Sequence, residues 1–346
     1  MTTDKVINVL KDQPFVVYSL PGSTDFYSCI VSRVIEKTNQ HKLSEFDFIF
    51  APFNSDAHPT YLFDFESKNH NNTFHLEYAG RKEEQETTRN YYEANCMDAI
   101  NRLQSGELEK LVLSKTKIEG HQNEEIWNLY ERLQKSYPQA FVYLVNLPQQ
   151  GLWMGATPEL LLSKNNAQYK TIALAGTQNI DKPLSEIQWK AKEIEEQAIV
   201  VRFVERLLKE KGIHFVKSGS YTSGAANVCH IKTDFLFPPS ENPAEMIEAI
   251  HPGPAISGMP KKAAVSLIEI LENHDREYYC GYLGPLHANG NFDLFINLRC
   301  MKVYKNFFKL YVGGGITSQS KIDDEWKETE LKAMTLLSVI QNDVAR

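Results

Sequence analysis

Six side chains in this 346-residue sequence are the natural candidates for acid–base or metal chemistry: Lys110, Glu159, Glu196, Glu325, Glu328 and Lys332. Three of them share the acidic stretch DDEWKETELK, residues 323–332. At roughly 100° per residue, an α-helix there puts Glu325, Glu328 and Lys332 within about 60° of one another. Such a face has two uses. Glu328 and Lys332 can form an ordinary solvated i,i+4 pair, or the carboxylates can hold a cation beside an anion-binding lysine. Glu196 belongs to a helical stripe with Trp189, Val200, Phe203 and Leu207. A carboxylate in an apolar stripe is costly unless paired or coordinated, although one at the stripe's edge simply reaches water.

Lys110 opens the strand-like run LEKLVLSK, and Glu159 follows a proline in GATPELLL. A lysine acts as a base at neutral pH only where burial or neighbouring cations favour its neutral form. A glutamate acts as an acid there only in apolar surroundings. Otherwise they are a strand end and a turn residue. Arg299 alternates with Leu294, Ile296 and Leu298 in FINLRC, so on a strand it faces away from them, either into solvent or as a clamp for a carboxylate. Gly313, Gly314 and Gly315 in YVGGGI allow close backbone approach to an anion. They match neither a P-loop nor a dinucleotide fingerprint. The loop HPGPAISGMP, residues 251–260, holds Gly253, Ala255 and Gly258 as small residues suited to a tight turn or a pocket wall.

These groups need elements to position them. Strand-like runs are FVVYSL, FDFIFAPF, PTYLFDF, KLVLSKTKIEG, AFVYLVNL, GLWMGATPELLLSK and YKTIALAGTQ. The polar segment 66–90 reads as a surface connector, followed by a helix ending near Gly106. EEIWNLYERLQKSYP reads as a helix stopped by Pro138. SEIQWKAKEIEEQAIVVRFVERLLKEKG reads as one long helix ending at Gly212, and KKAAVSLIEILENHD as another. FDLFINLRCMKVYKNFFKLYVGGGI reads as a two-stranded hairpin turning at YKN, and a final helix begins around Asp323. Strands arriving in runs rather than in βαβ alternation indicate an α+β fold with large antiparallel sheets. A net charge of −7 with no basic block argues against nucleic acid as a partner. Five cysteines without CxxC spacing suggest reduced thiols rather than a disulfide frame or a zinc site. With no signal-like start and no run long enough to span a bilayer, the expected location is cytoplasmic, without membrane attachment.

Taken in order, LEKLVLSK, GATPELLL, LAGT (174–177), EEQAIVV, CHI (229–231), HPGPAISGMP, GYLGPL, LRC, GGGI and DEWKETELK resemble the chorismate-utilising enzymes. That family comprises anthranilate, aminodeoxychorismate, isochorismate and salicylate synthases. The resemblance covers residues from about 90 to 345. It implies the anthranilate synthase-like α+β fold, large antiparallel sheets packed together with outer helices. Residues 1–85 would be a variable N-terminal part of that fold, and 86–346 the chorismate-binding region. HPGPA resembles the HPxPA signature of isochorismate and salicylate synthases. The implied activity is therefore Mg²⁺-dependent conversion of chorismate to isochorismate in menaquinone biosynthesis, with no glutamine amidotransferase partner. Salicylate synthase and a catechol-siderophore isochorismate synthase are the alternatives.

The resemblance also implies roles. Lys110 would activate water for attack at C2, and Glu159 would protonate the departing C4 hydroxyl. Glu196 and Glu328 would hold Mg²⁺ with support from Glu325. Arg299, Gly313, Gly314, Gly315 and Lys332 would hold substrate carboxylates. Gly176, Thr177, Ala255 and Ile256 would line the pocket, with His230 and His251 near the ring or enolpyruvyl group. Three positions depart from the family pattern: Gly253 where threonine is usual, Gln197 where histidine often follows the metal glutamate, and Gly314 where alanine is common.

Overall fold

The strand Phe141–Leu147 shows how the interior is built, because every one of its residues is buried. Side chains alternate across a strand with a period of two. Accordingly Phe141, Tyr143, Val145 and Leu147 enter one apolar core, while Val142 and Leu144 enter a second on the opposite face. Each large apolar side chain so buried contributes about 1.5–3 kcal/mol of transfer free energy. The first core is rich in aromatics: Phe50 stacks on Tyr278 at 4.3 Å, and Trp153 stacks on Tyr311 at 5.4 Å. The second is closed by two of the helices described below.

The computed structural model describes residues 6–9, 13–70, 73–76, 84–121, 125–165, 167–180, 182–225, 228–240 and 242–341. Among them are six α-helices: α1 Arg89–Gln104, α2 Ile126–Ser136, α3 Ala191–Glu210, α4 Pro243–Ile250, α5 Lys261–Leu271 and α6 Ile322–Gln341. Seventeen strands join through antiparallel pairings into one continuous sheet system, and Val6–Val9 pairs in parallel with Thr73–Leu76 apart from it. The α+β expectation therefore holds. N-terminal strands join the same system: Phe15–Ser19 pairs with Phe141–Leu147, and Phe48–Ala51 pairs with Tyr282–Pro285.

Local chemistry sets the helix boundaries. Thr88 caps α1 by accepting a hydrogen bond from the Tyr91 amide. Asn242 caps α4, with Pro243 in the first turn. In α2, Ile126, Leu129, Tyr130 and Leu133 form a buried stripe at helical spacing. Helix α6 changes character along one buried stripe: Glu325 and Thr329 come first, then Ala333, Leu336, Leu337 and Ile340. Its apolar half fills the second core with α2.

Several sequence expectations need correction. Residues 66–70 continue the strand Tyr61–His70, so the proposed connector is partly sheet; residues 71–72 and 77–83 lie outside the described residues. The long helix starts at Ala191, not near residue 185: Leu184–Glu186 is a separate 3-10 turn, Ile187 and Lys190 are extended, and the Trp189 indole donates to Thr222 Oγ1. Trp189 is thus not on the Glu196 stripe. The C-terminal hairpin is Cys300–Val303 with Phe307–Ile316, turning at YKN as expected. Phe292–Ile296, however, is a separate strand that pairs elsewhere, with Leu160–Lys164 and Tyr282–Leu283. Arg299 stands between them with φ +49°, in a left-handed turn rather than in strand alternation.

Candidate active site

Lys110–Gly120 pairs with Phe307–Ile316 over ten residues, setting Gly313 opposite Ser114, Gly314 opposite Leu113 and Gly315 opposite Val112. Helix α6 crosses this pair, and α3 packs on Gln168–Asn179 and Val228–Phe237. Between them lies a cavity of about 70 Å³. Its lining includes Glu159, Gly176, Thr177, Glu196, His230, Ala255, Ile256, Arg299, Gly313, Gly314, Gly315 and Lys332. Residues expected from eight separate segments therefore meet at one place.

Lys110 and Glu196 meet behind the glycine strand. Both are buried, and Lys110 Nζ lies 2.9 Å from Glu196 Oε1. That is ion-pair distance, yet Nζ has no acceptor aligned for a hydrogen bond among the described residues. Gly315 makes the approach possible: a Cβ there would fall 2.3 Å from Glu196 Oε1 and 3.0 Å from Lys110 Cε. The carboxylate on the α3 stripe is thus paired, as its burial requires.

Glu159 follows Thr157, whose hydroxyl accepts from the Glu159 amide at 3.3 Å. Burial raises the Glu159 carboxyl to about 7, against the opposing pull of Lys110, Lys332 and Arg299. The group can therefore be a proton donor near neutrality.

His230 is buried, and burial together with the Arg299 charge lowers its pKa to about 3, so the ring is neutral. Its Nδ1 donates to the Gly176 carbonyl at 2.9 Å, leaving Nε2 as a buried acceptor with no partner among the described residues. Arg299 is lowered by burial, but a guanidinium remains charged. It donates to Thr335 Oγ1 of α6 at 2.9 Å. Lys332 donates to the Gly313 carbonyl at 2.9 Å and pairs with Glu328 at 2.7 Å.

On α6, Glu325 is buried and pairs with Lys192 of α3 at 2.5 Å, while its Oε2 has no partner among the described residues. Burial and the neighbouring Glu328 raise Glu325 to about 7. Burial opposes ionisation of Glu328 too, but Lys332 and Lys192 outweigh it and hold Glu328 below the usual carboxylate range. Both carboxylates approach Gly314: a Cβ there would stand 3.7 Å from Glu328 Oε1 and 3.8 Å from Glu325 Oε2.

The donor set suits a hard divalent cation: carboxylate oxygens, one of them an orphaned buried atom, beside a cavity for an anion. Among the described residues, no three such ligands converge as a ready-made cage. Each carboxylate instead holds a lysine: Glu196 with Lys110, Glu325 with Lys192 and Glu328 with Lys332.

Three placements differ from expectation. Lys110, fully buried against Glu196, is not itself among the residues that line the cavity. His251 does not line the cavity. It is buried, lowered to about 4 by that burial, and its Nε2 bonds the Cys280 carbonyl at 2.8 Å. Glu325 and Glu328 likewise stand behind the glycine wall rather than among the lining residues. The sequence reading missed Val112, Tyr279, Cys280, Leu298 and Tyr311, which do line the cavity. Tyr279 and Cys280 directly precede the GYLGPL motif, and Cys280 has φ +61°, a turn that periodicity does not signal. No helix among the described residues is long and apolar enough to cross a membrane.

Comparison with known proteins agrees with this geometry. The family model for chorismate binding enzymes matches residues 26–338. Isochorismate synthase EntC of Escherichia coli K12 is 31% identical over 221 residues, covering 61% of this chain and 56% of EntC. The chain thus spans little more than half the length of that relative. Isochorismate synthase DhbC of Bacillus subtilis is 26% identical over 273 residues, covering 73% of this chain and 68% of DhbC. Among solved structures, MenF, the menaquinone-specific isochorismate synthase from Escherichia coli, superposes with a TM-score of 0.81 at 16% identity, covering 96% of this chain and 90% of that one. Anthranilate synthase component I from Streptococcus pneumoniae gives 0.70 at 19%, covering 93% and 89%. These likenesses establish the anthranilate synthase-like fold, and the match over residues 26–338 establishes more: the chain belongs to the family of chorismate binding enzymes.

Proposed function

We propose that this protein is an isochorismate synthase, converting chorismate to isochorismate. The observation that carries the reading is Glu159, a carboxyl raised to about 7 in the wall of a cavity that also presents Arg299, Lys332 and three consecutive glycines. Chorismate is a dianion, and a chain of net charge −7 needs such a local concentration of cations to hold it.

Lys110 takes a proton from water as the oxygen attacks C2. The ring double bonds shift, the C4–O bond breaks, and Glu159 delivers its proton to the departing hydroxyl, which leaves as water. Arg299, Lys332 and the amides of Gly313–Gly315 orient the carboxylates. Gly176, Thr177, Ala255 and Ile256 shape the walls. His230, neutral with a free Nε2 lone pair, accepts a hydrogen bond from a substrate hydroxyl. Glu196 and Glu328, with Glu325 in support, would hold Mg²⁺, whose chemistry when bound is to neutralise the ring carboxylate. EntC and DhbC are both named as isochorismate synthases, which supports the reaction type.

The test is incubation with chorismate and Mg²⁺, with and without ammonia, and resolution of the products. Isochorismate under both conditions is the expected result. Salicylate with pyruvate would replace the assignment with salicylate synthase, an aminated product would point to the amidotransferase-linked branch, and no turnover would remove all three. For the pathway, the reading is menaquinone biosynthesis in the cytoplasm. A strain lacking the gene should then lose menaquinone, and loss of a catechol siderophore instead would reassign it.

A further inference from the structure

Arg276 is buried, carries a full charge and is not among the residues lining the cavity, yet it holds two of the cavity's walls. Its Nη1 donates to the Ile256 carbonyl at 2.9 Å, and its Nη2 donates to the Val112 carbonyl at 2.8 Å. Ile256 and Val112 both line the cavity. The charge is balanced by Glu272, four residues earlier, reached from Nε at 2.8 Å and from Nη2 at 2.6 Å. Glu272 Oε1 also accepts the Ser114 amide at 2.6 Å, so the pair grips the Lys110–Gly120 strand twice.

The loop that contains Ile256 has few other restraints of this kind. Its end is sewn to the same strand by backbone bonds, Val112 N to Ser257 O and Glu109 N to Met259 O, both 2.8 Å. Its start is tied by His251 to the Cys280 carbonyl, in the turn that immediately follows Arg276. Arg276 sits between these ties. A guanidinium suits the place because its planar fork can donate in several fixed directions at once, whereas an ammonium is a single point donor.

From this geometry we infer that Arg276 is a positioning residue for the reaction: it clamps the 251–260 loop to the strand of Lys110, fixing Ala255 and Ile256 in the cavity wall beside that strand. The inference rests on the isochorismate synthase reading. It is distinct from a contribution to stability alone, because the bonds go to main-chain atoms of two adjacent segments that both line the cavity, and a small displacement of a reacting group is enough to slow turnover by about 100-fold.

The experiment compares three proteins at a temperature well below their unfolding midpoints. Wild type must first form isochorismate; if it does not, the functional reading fails and not the clamp. Arg276→Lys keeps the charge facing Glu272 but cannot reach both carbonyls. It should lower kcat by about 10–100-fold with KM within about threefold. Glu272→Gln keeps both carbonyl bonds but weakens the hold on Arg276 and the Ser114 amide, so it should lower the unfolding midpoint and reduce kcat clearly less than Arg276→Lys does. Wild-type kcat in folded Arg276→Lys, or equal loss of kcat in both variants, would overturn the clamp. Should Arg276→Lys not fold, the double variant Arg276→Met with Glu272→Met removes both buried charges together, a change that cores often tolerate. It should fold and show the same fall in kcat, and wild-type kcat there would also overturn the inference.

Discussion

Glu196 Oε1 lies where a side chain on Gly315 would have to go, 2.3 Å from the Cβ position, whereas the nearest atoms to the same position on Gly314 are 3.7 Å away. Adjacent glycines therefore differ in what they permit. Gly315→Ala should displace Glu196 from Lys110 and reduce kcat by about 100-fold or more. Gly314→Ala fits at ordinary van der Waals distance and should stay within about threefold of wild type. Steady-state kinetics on the two variants checks this, and equal losses would contradict it. The tolerance at Gly314 accords with the alanine common there in the family.

Lys110→Ala removes the proposed base but none of the groups assigned to the carboxylates. It should abolish measurable turnover while chorismate still binds in the presence of Mg²⁺. Calorimetry on the variant separates the two effects. A variant that remains active would remove Lys110 from the role.

The pH dependence follows from Glu159, raised from 4.5 to about 7 by burial. An acid must be protonated to act, so kcat should fall as pH rises through about 7 on this limb, approaching tenfold per unit. Glu159→Gln should lower kcat by about 10²–10⁴-fold. Between pH 4.5 and about 7 the unfolded chain releases this proton while the folded chain keeps it. The folded state is therefore progressively destabilised as pH rises through that window, with no further change above it. Glu325 is shifted in the same direction, also to about 7. Thermal unfolding of Glu159→Gln and Glu325→Gln across the window should show each variant with a shallower pH slope than wild type.

A chelator should abolish turnover, and Mg²⁺ should restore it. Glu196→Gln and Glu328→Gln should each require a higher Mg²⁺ concentration for half-maximal rate, and Glu325→Gln less so. Direct binding of Mn²⁺ as a spectroscopic probe gives a second readout. Turnover that survives chelation would remove the metal from the proposal.

Much of the architecture was legible along the chain. The strand Lys110–Gly120 has the bounds that its apolar run and closing glycine suggest, and α2 stops where Pro138 requires. Helix onset was harder. Residues 185–190 are compatible with a helix by propensity, but Leu184–Glu186 makes only a short 3-10 turn, Ile187 and Lys190 are extended, and Trp189 finds its partner on another strand, Thr222. Arg299 and Cys280 turn through left-handed φ values that only their tertiary neighbours explain.

The sequence by itself determined which residue types lie on which local elements, and through ordered motifs it identified the family that the match over residues 26–338 bears out. Tertiary structure alone decided what those residues meet. It turned the surface-pair reading of Glu328 and Lys332 into a partly buried pair against the glycine strand, and it paired Glu325 with Lys192 across two helices. It moved His251 from the substrate to a main-chain tie. The physical reason is range. Periodicity and capping act within a few residues, whereas desolvation and charge pairing depend on atoms brought together from more than a hundred residues apart, as Lys192 and Glu325 are.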